Sequence, residues 1–228
     1  MKSISMILLS GGIGTRMKTT VPKQFLPIGG KPMIVHVLEK IDQIIAVDEI
    51  IIPSPQKYIE QTKELIQAHQ FSKKINVIPG GSTRQESVMK GLERVSHPNV
   101  LIHEAVRPIV QKEEFEELIS CETTNATYGT DIPFTVLEGE GWIERTLDRD
   151  RLINIQLPQK FDTALLMEAH QRADQEKRDF TEDASLFFHY QKEKVAVLEG
   201  TEFNIKITKP IDQKIGEIIY KEYILGGE

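Results

Sequence analysis

The chain has a single cysteine, Cys121, among 228 residues. A lone cysteine closes no internal disulfide, so no disulfide framework is expected, and this usage suits a reducing cytoplasm. Long apolar runs are also missing: nothing approaches the roughly 20 residues that span a bilayer, and no membrane role is expected. The apolar stretch nearest the start, Ile4 to Leu9, is too short for a signal-peptide core and reads as a first strand. There is no excess of basic residues. The formal net charge is −6, which argues against nucleic acid as a partner because phosphate backbones demand a basic face. No internal repeat, low-complexity tract or linker breaks the chain.

What remains is enough sequence for one sizeable α/β domain with a core. From Ile4 to Val110, short β-branched runs alternate with amphipathic stretches, the pattern of parallel βαβ units. Strands are predicted at Ile4–Leu9, Glu49–Ile52, Ile75–Ile78 and Val100–His103. Helices are predicted at Pro32–Ile45, Tyr58–Gln70, Arg84–Val95 (capped by Thr83 or Ser82) and Lys112–Cys121. The region Tyr128–Gln156 changes character. Its Pro133, Gly139, Gly141 and charge-dense Glu144–Arg151 read as an extended arm, at about 133–156, that needs a surface to lie on; a second subunit supplies one. Helix, strand and helix follow at Thr163–Asp174, Lys194–Leu198 and Ile211–Tyr223. The expected architecture is a Rossmann-like, doubly wound, mostly parallel sheet with a protruding β-arm used in dimerisation.

Three loops after strands carry the chemistry. Leu9-Ser10-Gly11-Gly12-Ile13-Gly14-Thr15-Arg16 follows the first strand and leads to Pro22-Lys23-Gln24. Glycines let backbone N–H groups approach a polyphosphate, Arg16 can fork onto its oxygens, and Lys23 supplies a compact charge. The loop lacks the Lys-Ser/Thr ending of a P-loop and the third glycine of a dinucleotide fingerprint. Gly80-Gly81-Ser82-Thr83-Arg84-Gln85-Glu86-Ser87-Val88 sits between a strand and a helix. It reads either as a capped helix after a turn or as a donor-rich cradle for a base or phosphate. His103-Glu104-Ala105-Val106-Arg107-Pro108 follows the fourth strand. Glu104 could bind Mg²⁺, which commonly joins protein through one or two carboxylates and substrate phosphates. Arg107 could hold Glu104 or an anion, a purely structural ion pair being the alternative, and His103 fits a satisfied, partly buried histidine. Later, Asn204-Ile205-Lys206-Ile207-Thr208 reads as a strand whose Lys206 points away from its isoleucine neighbours.

In this order the motifs resemble the 2-C-methyl-D-erythritol 4-phosphate and ribitol-5-phosphate cytidylyltransferase family, which makes CDP-linked polyols. The resemblance runs from about Met6 to Asp212. It is carried jointly by the glycine loop, Pro-Lys-Gln, Gly-Gly-x-x-Arg-x-x-Ser-Val, His-acid-Ala-x-Arg-Pro, Gln-x-Pro-Gln-x-Phe and Asn-Ile-Lys-x-Thr. It implies one nucleotidyltransferase domain over 1–228, with CTP and a polyol phosphate as substrates, Mg²⁺ as cofactor and a homodimer as the assembly. By motif match, Arg16, Lys23 and Lys206 would be catalytic. Ser10, Gly11, Gly12, Gly14, Gly81, Ser82, Ser87 and Ala105 would hold the nucleotide, and Glu104 the metal. Thr135 and Arg149 would reach the polyol phosphate from the arm of the other subunit, with Arg107 beside it.

The chain departs from the family pattern in places. Glu104 stands where aspartate is usual, Ser82 where an acid is often found, and the arm keeps Thr135 without the lysine that usually follows. Gln156-Leu157-Pro158-Gln159 replaces Gln-Thr-Pro-Gln. Thr146-Leu147-Asp148-Arg149 and Thr181-Glu182-Asp183-Ala184-Ser185 favour methylerythritol phosphate as acceptor, while Gly11-Gly12 and Ala105-Val106-Arg107-Pro108 keep ribitol phosphate or another capsule-type polyol open. A nucleotide-binding relative without catalysis and a sugar-1-phosphate nucleotidyltransferase remain as other classes.

Overall fold

The computed structural model describes residues 3–11 and 21–226. Gly12, Gly14 and Arg16 lie outside the described residues. A seven-stranded sheet runs through the middle, built from β1 (Ile4–Leu9), β4 (Val47–Ser54), β5 (Lys74–Pro79), β6 (Asn99–Glu104), β7 (Ala126–Thr130), β10 (Asn154–Asp162) and β11 (Ala196–Glu199). Its order is β11-β7-β10-β6-β1-β4-β5. All neighbours pair parallel except β10, which is antiparallel to both β6 and β7. The expected doubly wound, mostly parallel sheet is what the chain forms.

The sheet forms where it does because its central strands are apolar on both faces, as parallel strands covered by helices must be. Every residue of β1 is buried. Alternation sends Ile4, Met6 and Leu8 into a core shared with α1 (Met33–Asp42) and α4 (Lys112–Ser120). Ile7 and Leu9 go into the opposite core, with α3 (Arg84–Leu92), α5 (Thr163–Gln175) and α6 (Asp183–Gln191). Fully burying each such side chain contributes about 1.5–3 kcal/mol, so the two cores fix strand register from both sides. The helix α2 (Ile59–His69) flanks β5.

A third cluster of Ile28, Met33 and Ile207 lies under α7 (Pro210–Ile219). There β2 (Pro27–Ile28) and β3 (Lys31–Pro32) make a tiny hairpin. Its turn residues Gly29 and Gly30 have φ of 55° and 77°, and a Cβ on Gly29 would run into the ring of Tyr220.

Two expectations need correction. First, Tyr128–Gln156 is not all arm: Tyr128 sits in β7 and Gln156 in β10, both central-sheet strands. The excursion lies between them, with a two-residue antiparallel ladder of β8 (Leu137–Glu138) and β9 (Arg145–Thr146). Second, Asn204–Thr208 forms no strand. Asn204 is instead tied by its side-chain amide to Glu114 and to the carbonyl of Leu157, and Ile207 N–H donates to the carbonyl of Val106. The alternation of exposed Lys206 with buried Ile207 survives without a ladder. Thr181–Ser185 leads into a helix, with Glu182 as the N-cap and Asp183 opening the nine-residue α6.

Candidate active site

The carboxyl ends of the parallel strands are laced together by their own backbones. Ser10 N–H donates to the carbonyl of Pro53, Gly80 N–H to that of Ser54, and Ala105 N–H to that of Leu9. This crevice outside the strand ends is where open α/β sheets bind ligands. One cleft there is lined by Ser10, Gly11, Lys23, Gly81, Ser82, Thr83, Arg84, Ser87, Glu104 and Lys206, together with Leu9, Val106 and Thr208. Of the fifteen or so residues proposed from sequence, most of those described for the nucleotide and for catalysis therefore share one wall. Ala105 is fully buried beside it.

The second glycine loop is shaped by α3. Thr83 Oγ1 accepts from Glu86 N–H at 3.0 Å, which makes Thr83, not Ser82, the cap. Ser87 Oγ donates to the Thr83 carbonyl at 2.8 Å and accepts from Gly81 N–H at 3.0 Å. Ser82 gives both its N–H and its hydroxyl to the Glu86 carboxylate, at 2.7 and 2.8 Å. Lys90 and these Ser82 contacts hold that carboxyl down at about 2. Ser10 Oγ is buried without a hydrogen-bond partner among the described residues, so it is a polar atom in the cleft wall left for a ligand.

Glu104 is the hub of the cleft. Its Oε1 accepts from Lys206 Nζ at 2.8 Å and lies 3.3 Å from Arg84 Nε, while Oε2 is 3.5 Å from Arg107 Nε. Burial would raise this carboxyl, but Lys206, Arg84 and Arg107 outweigh burial and bring it to about 2. The ion-pair reading of Glu104 and Arg107 is thus observed. It does not exhaust Glu104, whose Oε2 is buried with no hydrogen bond among the described residues. That atom fits the single-carboxylate way in which Mg²⁺ joins a protein beside substrate phosphates. Among the described residues no group of three or more His, Cys, Asp or Glu side chains is placed to hold a metal by itself.

His103 is fully buried, packs edge-on against Phe115, and has Nε2 3.3 Å from the Arg107 carbonyl. Burial pushes it down to about 3, so it is neutral and structural at ordinary pH.

A second cleft of about 910 Å³ adjoins the first. Lys206 lines both, and Arg107, Asn154, Gln156 and Asn204 line the second, next to Pro133 and Phe134 at the base of the arm. Arg107 Nη1 donates to the Asn204 carbonyl at 2.8 Å. Thr135 and Arg149 are exposed and border neither cleft of their own chain. Arg149 Nη1 donates to the Pro133 carbonyl. The arm also exposes Phe134, Trp142 and Ile143, at 75%, 85% and 73%, an apolar surface such as a partner covers.

Sequence reasoning quoted Arg84 and the Thr181–Ser185 segment without giving either Arg84 or Asp183 a role. The structure joins them: Arg84 Nη2 is 2.6 Å from Asp183 Oδ2. The available signal was an arginine at a helix N-terminus, where a cation opposes the helix dipole and needs acids nearby.

The model of the 2-C-methyl-D-erythritol 4-phosphate cytidylyltransferase family matches residues 4–222. A protein of that name from Halalkalibacterium halodurans is 37% identical over 223 residues, covering 96% of this chain and 97% of the relative. One from Chlorobium phaeobacteroides is 34% identical over 93% of this chain and 92% of its own length. Among solved structures, 4-diphosphocytidyl-2C-methyl-D-erythritol synthase from Anaerococcus prevotii aligns with a TM-score of 0.84 at 27% identity, covering 95% of each chain. The 2-C-methyl-D-erythritol 4-phosphate cytidylyltransferase of Thermus thermophilus aligns at 0.77 and 27% identity, over 96% of this chain and 98% of the other.

Proposed function

Since the chain belongs to the 2-C-methyl-D-erythritol 4-phosphate cytidylyltransferase family, we propose that it transfers CMP from CTP to 2-C-methyl-D-erythritol 4-phosphate, a step of isoprenoid precursor synthesis. A phosphate oxygen of the acceptor attacks the α-phosphorus of CTP, the bond between the α- and β-phosphates breaks, and pyrophosphate leaves. The observation that supports this most is the position of Lys206, which borders both the nucleotide-side cleft with Lys23 and the adjoining larger cleft. A cation there meets the attacking oxygen and the α-phosphate together.

The residues divide the work by chemistry. Phosphoryl-type transfer asks little covalent help of a protein and depends on positioning and on charge at the nonbridging oxygens. Lys23 and Lys206 provide that charge, with Arg16 as the third cation by family match. Ser10, Gly11, Gly81 and Ser87, all on the wall of the nucleotide-side cleft, would frame the cytosine, with Gly12, Gly14, Ser82 and Ala105 completing the nucleotide set by family match. Glu104 Oε2 would hold Mg²⁺, which when bound neutralises triphosphate charge. Arg107 lines the acceptor side. Thr135 and Arg149 would complete the acceptor site of a second subunit in a homodimer, a reading supported by their exposure on the arm and by the apolar surface around them. Cytoplasmic location belongs to the same reading. No helix among the described residues is long and apolar enough to cross a membrane.

Pyrophosphate release from CTP and Mg²⁺ tests the assignment directly. Turnover with 2-C-methyl-D-erythritol 4-phosphate well above that with ribitol 5-phosphate is expected. The reverse preference moves the acceptor, and CTP binding without turnover on either defeats the enzyme assignment.

A further inference from the structure

Arg84 is an odd choice for its place. It is the first residue of α3, where the helix dipole disfavours a cation, and its side chain is 21% exposed, so it has given up much of its hydration. Such a cation persists where carboxylates surround it. Three do, from two separate elements. Its Nε faces Glu104 at 3.3 Å, at the end of β6, and its Nη2 faces Asp183 at 2.6 Å and Glu182 at 3.6 Å, at the start of α6. Only a planar guanidinium presents donors in two directions at once; a lysine ammonium in its place reaches one side or the other.

Asp183 is fixed in turn. It is 1% exposed, and its Oδ1 lies 3.2 Å from Nε2 of the fully buried His170 on α5. Burial raises the Asp183 carboxyl, and Arg84 and His170 more than reverse that, so it stays ionised. On the other side, Glu104 Oε1 carries Lys206 at 2.8 Å. A continuous chain of contacts thus runs from His170 in α5 through Asp183, Arg84 and Glu104 to Lys206. It connects the helical layer to a segment that has no ladder of its own. A buried ion-pair chain is weak evidence for stability, because well-packed apolar residues serve that end equally well. What it supplies here is a fixed position for an ammonium group whose side chain is otherwise 41% exposed.

We propose that Arg84 and Asp183 are positioning residues for nucleotidyl transfer, acting through Glu104 to hold Lys206 at the junction of the two clefts. The proposal rests on the cytidylyltransferase reading of the site. Asp183 borders neither cleft, so it touches no substrate and affects the reaction only through Arg84. The loss of this chain leaves CTP able to bind but allows Lys206 to wander, which lowers kcat rather than raising KM.

The test is a double-mutant cycle of Arg84→Lys and Asp183→Asn, read as kcat and as KM for CTP in folded protein. Each single change is expected to lower kcat about tenfold, as a misplaced catalytic group does, with KM for CTP within about twofold. The double variant should be no worse than either single, because both break one chain. Unchanged kcat, additive losses, or a rise confined to KM for CTP overturns the proposal. If Asp183→Asn does not fold, Arg84→Lys with the charge-conserving Asp183→Glu faces the same criteria. Wild-type turnover is the control: without it the functional reading fails, whereas with it and unaffected variants only the positioning role fails.

Discussion

Lys206 Nζ donates to Glu104 Oε1 at 2.8 Å across 102 residues of chain. The same carboxylate also balances Arg84 and Arg107, whose side chains are 21% and 11% exposed; neutralising it leaves Arg84 to Asp183 and Glu182 but strands the largely buried Arg107. Glu104→Gln is therefore expected to cost about 3 kcal/mol, most of it from Arg107 because Lys206 is half in water. The pH dependence follows from the same charges. The folded carboxyl lies near 2 against an ordinary 4.5, so its contribution is complete above about pH 4.5 and is lost as pH falls through about 2. Urea unfolding from pH 6 to pH 2 should show that loss in the wild type and a flatter profile in Glu104→Gln. Equal slopes would contradict the charge assignment.

Lys23 sits in a one-turn 3-10 helix at Lys23–Phe25 and is 7% exposed on the wall of the nucleotide cleft. Removing one charge that stabilises a transition state costs about 100-fold or more. Lys23→Ala should lower kcat by that amount, and Arg16→Ala, assigned from the motif, by a similar factor. Single-turnover rates with saturating CTP measure it; near-normal rates in either variant would remove that residue from catalysis.

How much of this was legible in the sequence depended on where polar groups find their partners. The first strand was read to the residue because Ile4–Leu9 is buried on both faces, and an unbroken apolar run signals that by itself. The antiparallel strand β10 was missed, since Gln156, Pro158, Gln159 and Lys160 present neither an apolar run nor apolar alternation. Their burial is made tolerable by distant groups: Gln159 Nε2 donates to Thr127 Oγ1, and Lys160 Nζ to the carbonyls of Ile119 and Cys121. Pro158 sits where the pairing with β7 slips between Gln156 and Gln159, a place where a sheet accepts proline. The site divides the same way. Loops after strands revealed the cleft, whereas the Arg84–Asp183 contact joins two motifs that look unrelated along the chain.

The cap on α3 was visible, and it offers a clean stability test. Thr83 Oγ1 accepts from Glu86 N–H, and losing such a cap costs about 1 kcal/mol. Thr83→Ala should lower the urea midpoint accordingly, with Thr83→Ser close to wild type. If serine fares as badly as alanine, the threonine methyl rather than its oxygen is what matters.

Arg149 is exposed on the arm and borders neither cleft of its own chain; on the dimer reading proposed above, it serves the acceptor site of a second subunit. Arg149→Ala should raise KM for the polyol phosphate more than KM for CTP. Mixing makes the subunit question decisive. In a dimer of an Arg149→Ala chain with a Lys206→Ala chain, one site receives Lys206 from the first and Arg149 from the second, and the other site receives neither. Assayed with polyol phosphate far below the KM of the Arg149→Ala protein, re-equilibrated mixtures of the two variants should then recover about a quarter of wild-type activity, the share of intact sites when half the dimers are mixed. No recovery, with mixed dimers present, means that Arg149 serves its own chain or none; a purely monomeric protein in gel filtration removes the arm exchange altogether.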